Sequence, residues 1–154
     1  MSEDKYRAAL DMAAKQLSYR ALSAKMLRDK LLAKGHDEEA ADYALAWLTE
    51  RSMLNDELFA ESVVRGYTRK GYGAARIRQE LSRGIDRDPA EAAMPTFSPD
   101  EAQMLALLEK RLRGDISDRK EIEKAVAALQ RRGFAWNDIK RALETYGSSL
   151  PEEE

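Results

Sequence analysis

The chain has 154 residues, of which 44 % are hydrophobic, 35 % charged and 7 % aromatic, and its formal net charge is −2. So many charges and so few aromatic residues disfavour a sphere with one large core and favour a thin, elongated protein. The absence of cysteine excludes a disulfide framework, a thiol nucleophile and a cysteine metal site. The N-terminal segment MSEDKYRAAL has no signal-peptide pattern and no apolar run is long enough to cross a bilayer, so we expect a cytoplasmic protein without membrane association.

The residue choice is typical of helices, because Ala, Leu, Glu, Lys, Arg and Gln dominate and no segment alternates apolar and polar residues for long. The sequence therefore predicts an all-α protein without a sheet. Apolar residues at helical spacing predict helices over Asp4–Ser18, Ser23–Lys34, Glu38–Arg51, Asp56–Arg69, Ala74–Arg83, Pro89–Met94, Asp100–Leu112, Asp118–Arg132 and Asn137–Tyr146.

Several residues mark where these helices begin and end. The side chains expected to cap helix N-termini are those of Ser23, Asp37, Asn55 and Ser117. Gly35 suits the left-handed position that follows many helices. The segment PTFSP, residues 95–99, is expected to form a bend or hinge, because its first proline ends the sixth helix early.

Three glycines divide the chain into similar parts. Gly35, Gly84 and Gly133 each follow a basic residue and are spaced 49 residues apart, which is a reason to test for structural repeats. The positions six, nine, ten and thirteen residues after each glycine are apolar or amphipathic in all three parts, and this spacing is one face of a helix. They are Ala41, Ala44, Leu45 and Leu48; Ala90, Ala93, Met94 and Phe97; and Ile139, Ala142, Leu143 and Tyr146.

Each part then consists of three helices, and such small units gain stability by stacking on their neighbours. The predicted fold is an elongated, curved array of three tandem three-helix repeats. The predicted boundaries are 1–53 for the first repeat, 54–97 for the second and 98–147 for the third, followed by an acidic tail over 148–154.

The sequence offers little that could perform catalysis. His36 is the only histidine, and its place between a glycine and a predicted helix start is typical of a solvated turn residue. No zinc ligand set can be assembled and there is no phosphate-binding GxxxxGK[ST] loop. Most carboxylates recur at helical spacing among lysines and arginines, which solvated ion pairs explain. We therefore expect a protein that is not an enzyme and has no cofactor or metal.

The charge is distributed unevenly along the second repeat. Between Arg65 and Arg83 there are six basic residues and one acid, Glu80, a net charge of +5 in a chain of net charge −2. One interpretation is that this segment forms a docking surface for phosphates or carboxylates. The free N–H groups at the start of the helix after Gly73 would also attract such an anion. The alternative is a solvated face whose basic residues lie near helix C-termini. That alternative does not account for two arginines near a helix start, Arg76 and Arg78, so we favour docking.

Two tyrosines flank this basic segment. Tyr67 continues the apolar stripe of Phe59 and Val63, so packing is its expected role. Tyr72 lies in a glycine-rich turn and is the better candidate for an exposed contact, because aromatic rings among arginines can stack on bases. The predicted binding residues are Arg65, Arg69, Lys70, Tyr72, Arg76, Arg78 and Arg83.

The segment LNDELFAESVVRGYTRKGYGAARIRQELSRGI, Leu54–Ile85, resembles the central signature of the RecX family, which regulates the RecA recombinase. The first repeat resembles the family's preceding module, and the third is compatible but less distinctive. Leu58 departs from the family pattern, in which many members have arginine beside the phenylalanine.

The resemblance implies three tandem three-helix repeats and a non-enzymatic modulator that lies in the groove of the RecA–DNA filament. There it would suppress ATP hydrolysis, strand exchange and filament extension during homologous recombination. The implied partners are the RecA filament and single- or double-stranded DNA, and a monomer is expected.

Two other functions remain open. Three-helix units with a glycine between helices also resemble helix-turn-helix modules, so the chain could be a free-standing DNA-binding protein. Its acidic charge balance and the lack of a basic recognition helix in each repeat count against this. A third function is a scaffold for an unrelated protein partner.

Overall fold

The computed structural model describes residues 2–151 of the chain. This part of the chain forms nine α-helices and contains no strand, which confirms the all-α prediction. The helices are α1 Ser2–Tyr19, α2 Ala24–Ala33, α3 Glu38–Glu50, α4 Asp56–Arg69, α5 Ala74–Gly84, α6 Arg87–Ala93, α7 Glu101–Leu112, α8 Arg119–Arg131 and α9 Trp136–Ser148. Of the predicted acidic tail, residues 152–154 lie outside the described residues. No helix within residues 2–151 is both long and apolar enough to span a membrane.

Three of the four predicted N-caps are confirmed. Ser23 Oγ accepts a hydrogen bond from the backbone N–H three residues later at 3.1 Å, and Asp37 Oδ1 does the same at 2.8 Å. Asn55 Oδ1 accepts the backbone N–H of Glu57 at 2.9 Å. Each bond satisfies a donor that the helix itself leaves without a partner, which is the physical reason for the preference.

The predicted cap at Ser117 is wrong. The cap of α8 is Asp118, whose side chain accepts the backbone N–H of Lys120 at 3.0 Å. The Ser117 side chain faces backwards instead, and its hydroxyl donates to Asp115 Oδ1 at 2.5 Å. Short polar side chains compete for local backbone and side-chain partners, so two cap-forming residues in succession cannot be distinguished by type alone.

The short segment between α6 and α7 begins with a 3-10 turn over Met94–Thr96, closed by a hydrogen bond from the Phe97 N–H to the Met94 carbonyl at 2.8 Å. The chain then stays non-helical until Asp100, which caps α7. The predicted early end of the sixth helix is therefore confirmed, and a bend or hinge over residues 95–99 stays a prediction.

The repeat register is confirmed by burial. Of the twelve positions counted from the three glycines, nine are buried and three are half-buried. The half-buried residues are Leu45, Phe97 and Leu143, one in each repeat. The repeat boundaries at 53 and 97 stay predictions.

The chain divides into two compact units whose limits cut through α4 and α5. The first unit comprises the chain up to residue 63 together with residues 81–93. Its core contains Leu27, Leu31 and Leu48, each with no exposed surface, so one face of α2 and of α3 is buried. Full burial of such a side chain contributes about 1.5–3 kcal/mol to folding.

The second unit comprises residues 64–80 together with the chain from residue 94 onwards. Met104, Leu108 and Leu129 lie in its core, contributed by α7 and α8. Tyr146 of α9 is buried there, and its hydroxyl accepts the Gly114 N–H and donates to a carboxylate of α7, each at 2.7 Å. Burial, reinforced by that carboxylate, raises the pKa of Tyr146.

The three equivalent glycines do not serve the same purpose. Gly35 and Gly133 have φ angles of +95° and +92°, which glycine adopts without strain. Gly84 is instead the last residue of α5. Its carbonyl accepts the Ser23 hydroxyl at 2.5 Å, and a Cβ there would lie 3.0 Å from Met26 Sδ. Gly84 therefore permits close packing, not a left-handed turn.

A candidate anion-binding surface

The predicted binding residues fall into different environments. Six of the seven belong to the second unit, whereas Arg83 belongs to the first. Five of them are exposed, namely Arg65, Arg69, Lys70, Arg78 and Arg83. Tyr72 and Arg76 are half-buried. The following descriptions concern the six residues of the second unit.

Arg65 and Arg69 lie one helical turn apart near the C-terminus of α4 and line a shallow depression with Ser98 and Asp100. Within residues 2–151, no carboxylate oxygen lies within 4.0 Å of either guanidinium. The Arg69 carbonyl accepts a hydrogen bond from Gln103 Nε2 at 3.1 Å, which holds the end of α4 against α7. Both cations thus remain available to an external anion.

The turn after α4 holds Tyr72 in place. Gly71 has a φ of +88°, and the Tyr72 N–H donates to the Tyr67 carbonyl at 3.0 Å. The Tyr72 ring lies 5.0 Å from the Arg76 guanidinium and 5.6 Å from that of Arg132, both within the range of cation–π attraction. The sequence predicted an exposed contact residue, but the half-buried ring already serves to position two arginines.

The start of α5 is closed by the turn between α8 and α9. The Gly73 N–H donates to the Arg132 carbonyl at 2.8 Å, and the Ala75 N–H donates to the Gly133 carbonyl at 3.1 Å. A Cβ on Gly73 would lie 2.4 Å from the Gly133 carbonyl carbon, and a Cβ on Gly133 would lie 2.4 Å from the Arg76 nitrogen. We call this the Gly73–Gly133 contact. Only residues without a side chain allow the two backbones to approach so closely.

This contact corrects one expectation. The N–H groups at the start of α5 were expected to favour an anion, but those of Gly73 and Ala75 already bind carbonyl oxygens. A helix N-terminus attracts anions through donors that have no other partner, and here two of them are occupied. The expected contribution of this helix start to anion binding is therefore reduced, and it stays a prediction.

Arg76 is also engaged within the protein. Its Nε lies 3.2 Å from Glu80 Oε1, one helical turn along α5, and the Tyr67 hydroxyl donates to Glu80 Oε2 at 3.1 Å. The Glu80 side chain is only 12 % exposed. The single acid of the basic segment thus compensates Arg76, which makes Arg76 a structural residue more than a contact residue.

An open cleft of about 660 Å³ lies beside Tyr72 in the second unit. Lys70 and Tyr72 line it together with four basic residues that sequence reasoning missed, Lys110, Arg111, Arg131 and Arg132. All five cations are exposed, and no aspartate or glutamate lines the cleft. We call these six residues the basic cleft.

A signal for the missed residues is present in the sequence. Lys110–Arg111 and Arg131–Arg132 are adjacent pairs at the ends of α7 and α8. Within the helices, no aspartate or glutamate lies three or four residues from any of these four. Asp115 lies four residues after Arg111, but it is beyond the end of α7. Single basic residues such as Lys30 also lack such a partner, and so does one other adjacent pair, Arg69–Lys70 at the end of α4. The signal is therefore an adjacent basic pair at a helix end without an acid one turn away, and it is shared by these three pairs.

Nothing in the described part of the chain resembles a metal centre, since no group of three or more His, Asp or Glu side chains converges within residues 2–151. The arrangement offers cations, one half-buried aromatic ring and backbone turns. Such a set can bind an extended anion but provides no nucleophile paired with a base.

Comparison with known proteins gives three family matches in tandem. The models for the first, second and third three-helix domains of RecX match residues 9–48, 55–94 and 99–143. These matches confirm the predicted array of three tandem three-helix repeats.

Named relatives and solved structures agree with these matches. The chain is 38 % identical over 123 residues to the regulatory protein RecX of Stenotrophomonas maltophilia (strain R551-3) and 41 % identical to that of Xanthomonas campestris pv. campestris (strain B100), covering 78 % of this chain and 76 % of each relative. The crystal structure of RecX from Lactobacillus salivarius superimposes with a TM-score of 0.84 at 25 % identity, over 94 % of this chain and 97 % of that one.

Proposed function

The chain belongs to the RecX family of regulatory proteins, and on this premise we propose that it is a non-enzymatic inhibitor of a RecA recombinase. It binds in the groove of the RecA–DNA filament and suppresses ATP hydrolysis, strand exchange and filament extension. Its place of action is the bacterial cytoplasm, where RecA meets the chromosome, and it acts as a monomer.

The observation that carries this proposal is the match of all three RecX domain models in tandem order. A regulator needs a surface for its target and no reaction centre. The absence of a converging metal-ligand set within residues 2–151 is compatible with that requirement but does not establish it.

The contact surface that we propose is narrower than the one that the sequence predicted. Arg65, Arg69 and Lys70 are exposed and face acidic RecA surface or the DNA backbone. Tyr72 and Arg76 act as positioning residues, because each is half-buried and held by its neighbours. Charges of one sign concentrated on one surface of an acidic chain steer it towards an anionic partner.

The test is the DNA-dependent ATPase rate of the cognate RecA, titrated with this protein, beside a naked-DNA binding control at the same salt concentration. Inhibition well below the RecA concentration, with weak binding to naked DNA, is the expected result. An unchanged rate would contradict the proposal.

The second candidate is a free-standing DNA-binding protein, and the observation that favours it is the basic cleft. A protein of this kind binds naked DNA tightly, with an affinity that falls steeply as salt rises. Tight naked-DNA binding together with an unaffected ATPase rate would identify it.

A further inference from the structure

We propose that the turn between α3 and α4 is a docking site for a segment of a partner protein that carries an apolar side chain beside a basic one. The site lies entirely in the first unit, whereas the arginines and the lysine proposed to face RecA or DNA lie in the second. The inference therefore goes beyond the proposed function and concerns a surface that attracts cations.

The first argument is a small cavity beside this turn, which we call the apolar depression. Seven of its nine lining residues are apolar, namely Leu17, Ala21, Leu22, Met53, Leu54, Leu58 and Phe59. Met53 and Leu58 are nevertheless 56 % and 58 % exposed. A single exposed apolar side chain is common at protein surfaces, but two that line one apolar depression form a patch of the kind that binding partners cover.

Both exposed side chains are carried by backbone that is held in place. Ser52 has a φ of +57°, and the Met53 N–H donates to the Leu48 carbonyl at 2.9 Å, the arrangement that often ends a helix. At the start of α4, Asn55 Oδ1 accepts the Leu58 N–H at 3.2 Å. The rim of the apolar depression is therefore ordered before a partner arrives, which reduces the entropy lost on binding.

The second argument is the charge beside the apolar depression. A neighbouring cavity of about 690 Å³ shares three lining residues with it, Ser52, Leu54 and Asn55. The charged residues that line this neighbouring cavity are all acids, namely Asp56, Glu57 and Asp88. Of the described residues, no lysine or arginine lines either cavity. We call the larger cavity the acidic cleft.

Two of these acids have no counter-charge within the described part of the chain. No nitrogen of a lysine, arginine or histidine there lies within 4.0 Å of the carboxylates of Glu57 or Asp88. Asp56 accepts the Ala24 N–H at 2.8 Å. The helix dipole favours each acid singly, since all three lie in the first turns of α4 and α6. It does not account for their position beside an apolar depression, which matches a basic side chain next to an apolar one.

The same features disfavour two other occupants. A nucleic-acid strand would bring phosphates against carboxylates at a surface that no cation lines. A second copy of this chain would pair the surface with itself about a two-fold axis and bring two acidic clefts, which repel each other, into one interface. The apolar depression has a volume of about 140 Å³, equal to about five water molecules, and so accepts one side chain, whereas a stable dimer buries about 800 Å² on each partner.

The experiment titrates the isotope-labelled full-length protein with the synthetic peptide acetyl-Gly-Lys-Leu-Phe-Lys-Gly-amide and follows the backbone amide signals by two-dimensional NMR. A control peptide has glutamate in place of both lysines and keeps the apolar residues. The test variant Leu58→Lys removes an apolar side chain from the rim and adds a cation. Its matched control is Ile116→Lys, the same kind of change at an exposed apolar residue of the second unit.

A second pair of variants tests the acids. Glu57→Gln/Asp88→Asn removes two charges from the acidic cleft, and Asp11→Asn/Asp29→Asn removes two from exposed positions of the first unit outside it. Circular dichroism verifies that all variants are folded.

The expected result is a saturable shift of the amide signals of residues 52–58 by the lysine peptide, with a Kd of about 1 mM or below. Leu58→Lys weakens this binding at least about tenfold, because the apolar contact is lost, and the acid-cleft variant weakens it about threefold. Both control variants keep the wild-type affinity. A wild-type protein without this saturable shift would overturn the proposal. Equal affinity for the two peptides, or equal losses in Leu58→Lys and Ile116→Lys, would also overturn it.

Failure here is separable from failure of the proposed function, because the titration contains no RecA. Peptide binding that depends on Leu58, together with an unchanged RecA ATPase rate, supports the docking site and contradicts RecA inhibition. The reverse pattern contradicts the docking site and supports RecA inhibition.

Discussion

Two groups of basic residues in the second unit differ in what surrounds them. At the start of α5, Arg76 is half-buried, paired with Glu80 and close to the Tyr72 ring. In the basic cleft, Arg111 and Arg131 are exposed and no acid lines the cavity. This difference indicates that a basic side chain paired within the protein stabilises the fold, whereas a basic side chain without such a pair is available to a ligand. The predictions that follow test this distinction and the backbone contact that supports it.

The largest expected effect is on the Gly73–Gly133 contact. Gly133→Ala places a Cβ 2.4 Å from a backbone nitrogen at a φ of +92°, so we expect a loss of about 3 kcal/mol or more in the free energy of unfolding. The matched control is Gly35→Ala, at the equivalent position of the first repeat. Its φ is +95°, but nothing lies within 4 Å of the added Cβ, so only the left-handed cost of about 1–2 kcal/mol applies.

Urea unfolding followed by circular dichroism measures both variants. Equal losses for the two substitutions would show that the close approach of the two backbones contributes nothing beyond the cost of the backbone angle.

The next effect concerns the acid that compensates Arg76. Glu80→Gln weakens its hydrogen bonds with Arg76 Nε and the Tyr67 hydroxyl in a site that is largely shielded from water, so we expect a loss of about 1–2 kcal/mol. Arg111→Gln in the basic cleft should change stability by less than about 0.5 kcal/mol, because the side chain is exposed and no carboxylate oxygen of residues 2–151 lies within 4.0 Å of its guanidinium. If Arg111→Gln destabilised the protein as much as Glu80→Gln, the two groups would not differ as described.

A third effect concerns the exposed arginines of α4. Arg65→Glu/Arg69→Glu should weaken inhibition of the RecA ATPase by about tenfold, because charge reversal replaces attraction by repulsion at a complementary surface. The control is Arg7→Glu/Lys25→Glu, two exposed residues of the first unit outside the predicted surface. The titration of ATP hydrolysis compares the two, with helicity recorded for each. Wild-type inhibition by the α4 variant would remove these arginines from the contact surface.

The smallest effect is an acid-dependent loss of stability in the first unit. Lys5 Nζ lies 2.9 Å from Asp37 Oδ2 and 3.2 Å from Glu39 Oε2, and the Tyr6 hydroxyl donates to the other Glu39 oxygen at 2.5 Å. The Ala40 N–H, and then Lys5, lower the pKa of Asp37. The Tyr6 hydroxyl, and then Lys5, lower the pKa of Glu39.

Because both carboxylates have a lower pKa in the folded state, their contribution is present above the ordinary carboxyl range near about pH 4 and is lost as pH falls through the folded pKa. Asp37→Asn should therefore make the stability curve less steep below about pH 4, as measured by urea unfolding at several pH values. Asp11→Asn, at an exposed position of α1, is the control. Identical curves for the wild type and Asp37→Asn would contradict this account.

Local features of the fold followed well from the sequence. Helix spans, three N-caps and the left-handed Gly35 depend on residues within a turn of each other, and the repeat register depends on a regular apolar spacing. The cap of α8 did not follow, because Ser117 and Asp118 are both good caps and the choice depends on the bond from Ser117 to Asp115.

The candidate site followed only in part, because its properties depend on tertiary contacts. Counting charge between Arg65 and Arg83 identified a basic segment but could not show that Arg76 is compensated within it. The cations at the ends of α7 and α8 lie far in sequence from Lys70, and only the packing of α7 against α8 and the Gly71 turn brings them to one cleft. Likewise, nothing in the sequence distinguishes Gly84, which packs closely, from Gly133, which contacts a second backbone.

The most direct test of the central claim is cosedimentation of this protein with RecA filaments assembled on DNA, against the same DNA without RecA, at physiological salt. We expect saturable recovery of the protein in the pellet that rises markedly when RecA is present. Equal recovery with and without RecA would show that the chain recognises DNA alone, and the proposed regulation of RecA through its filament would be contradicted.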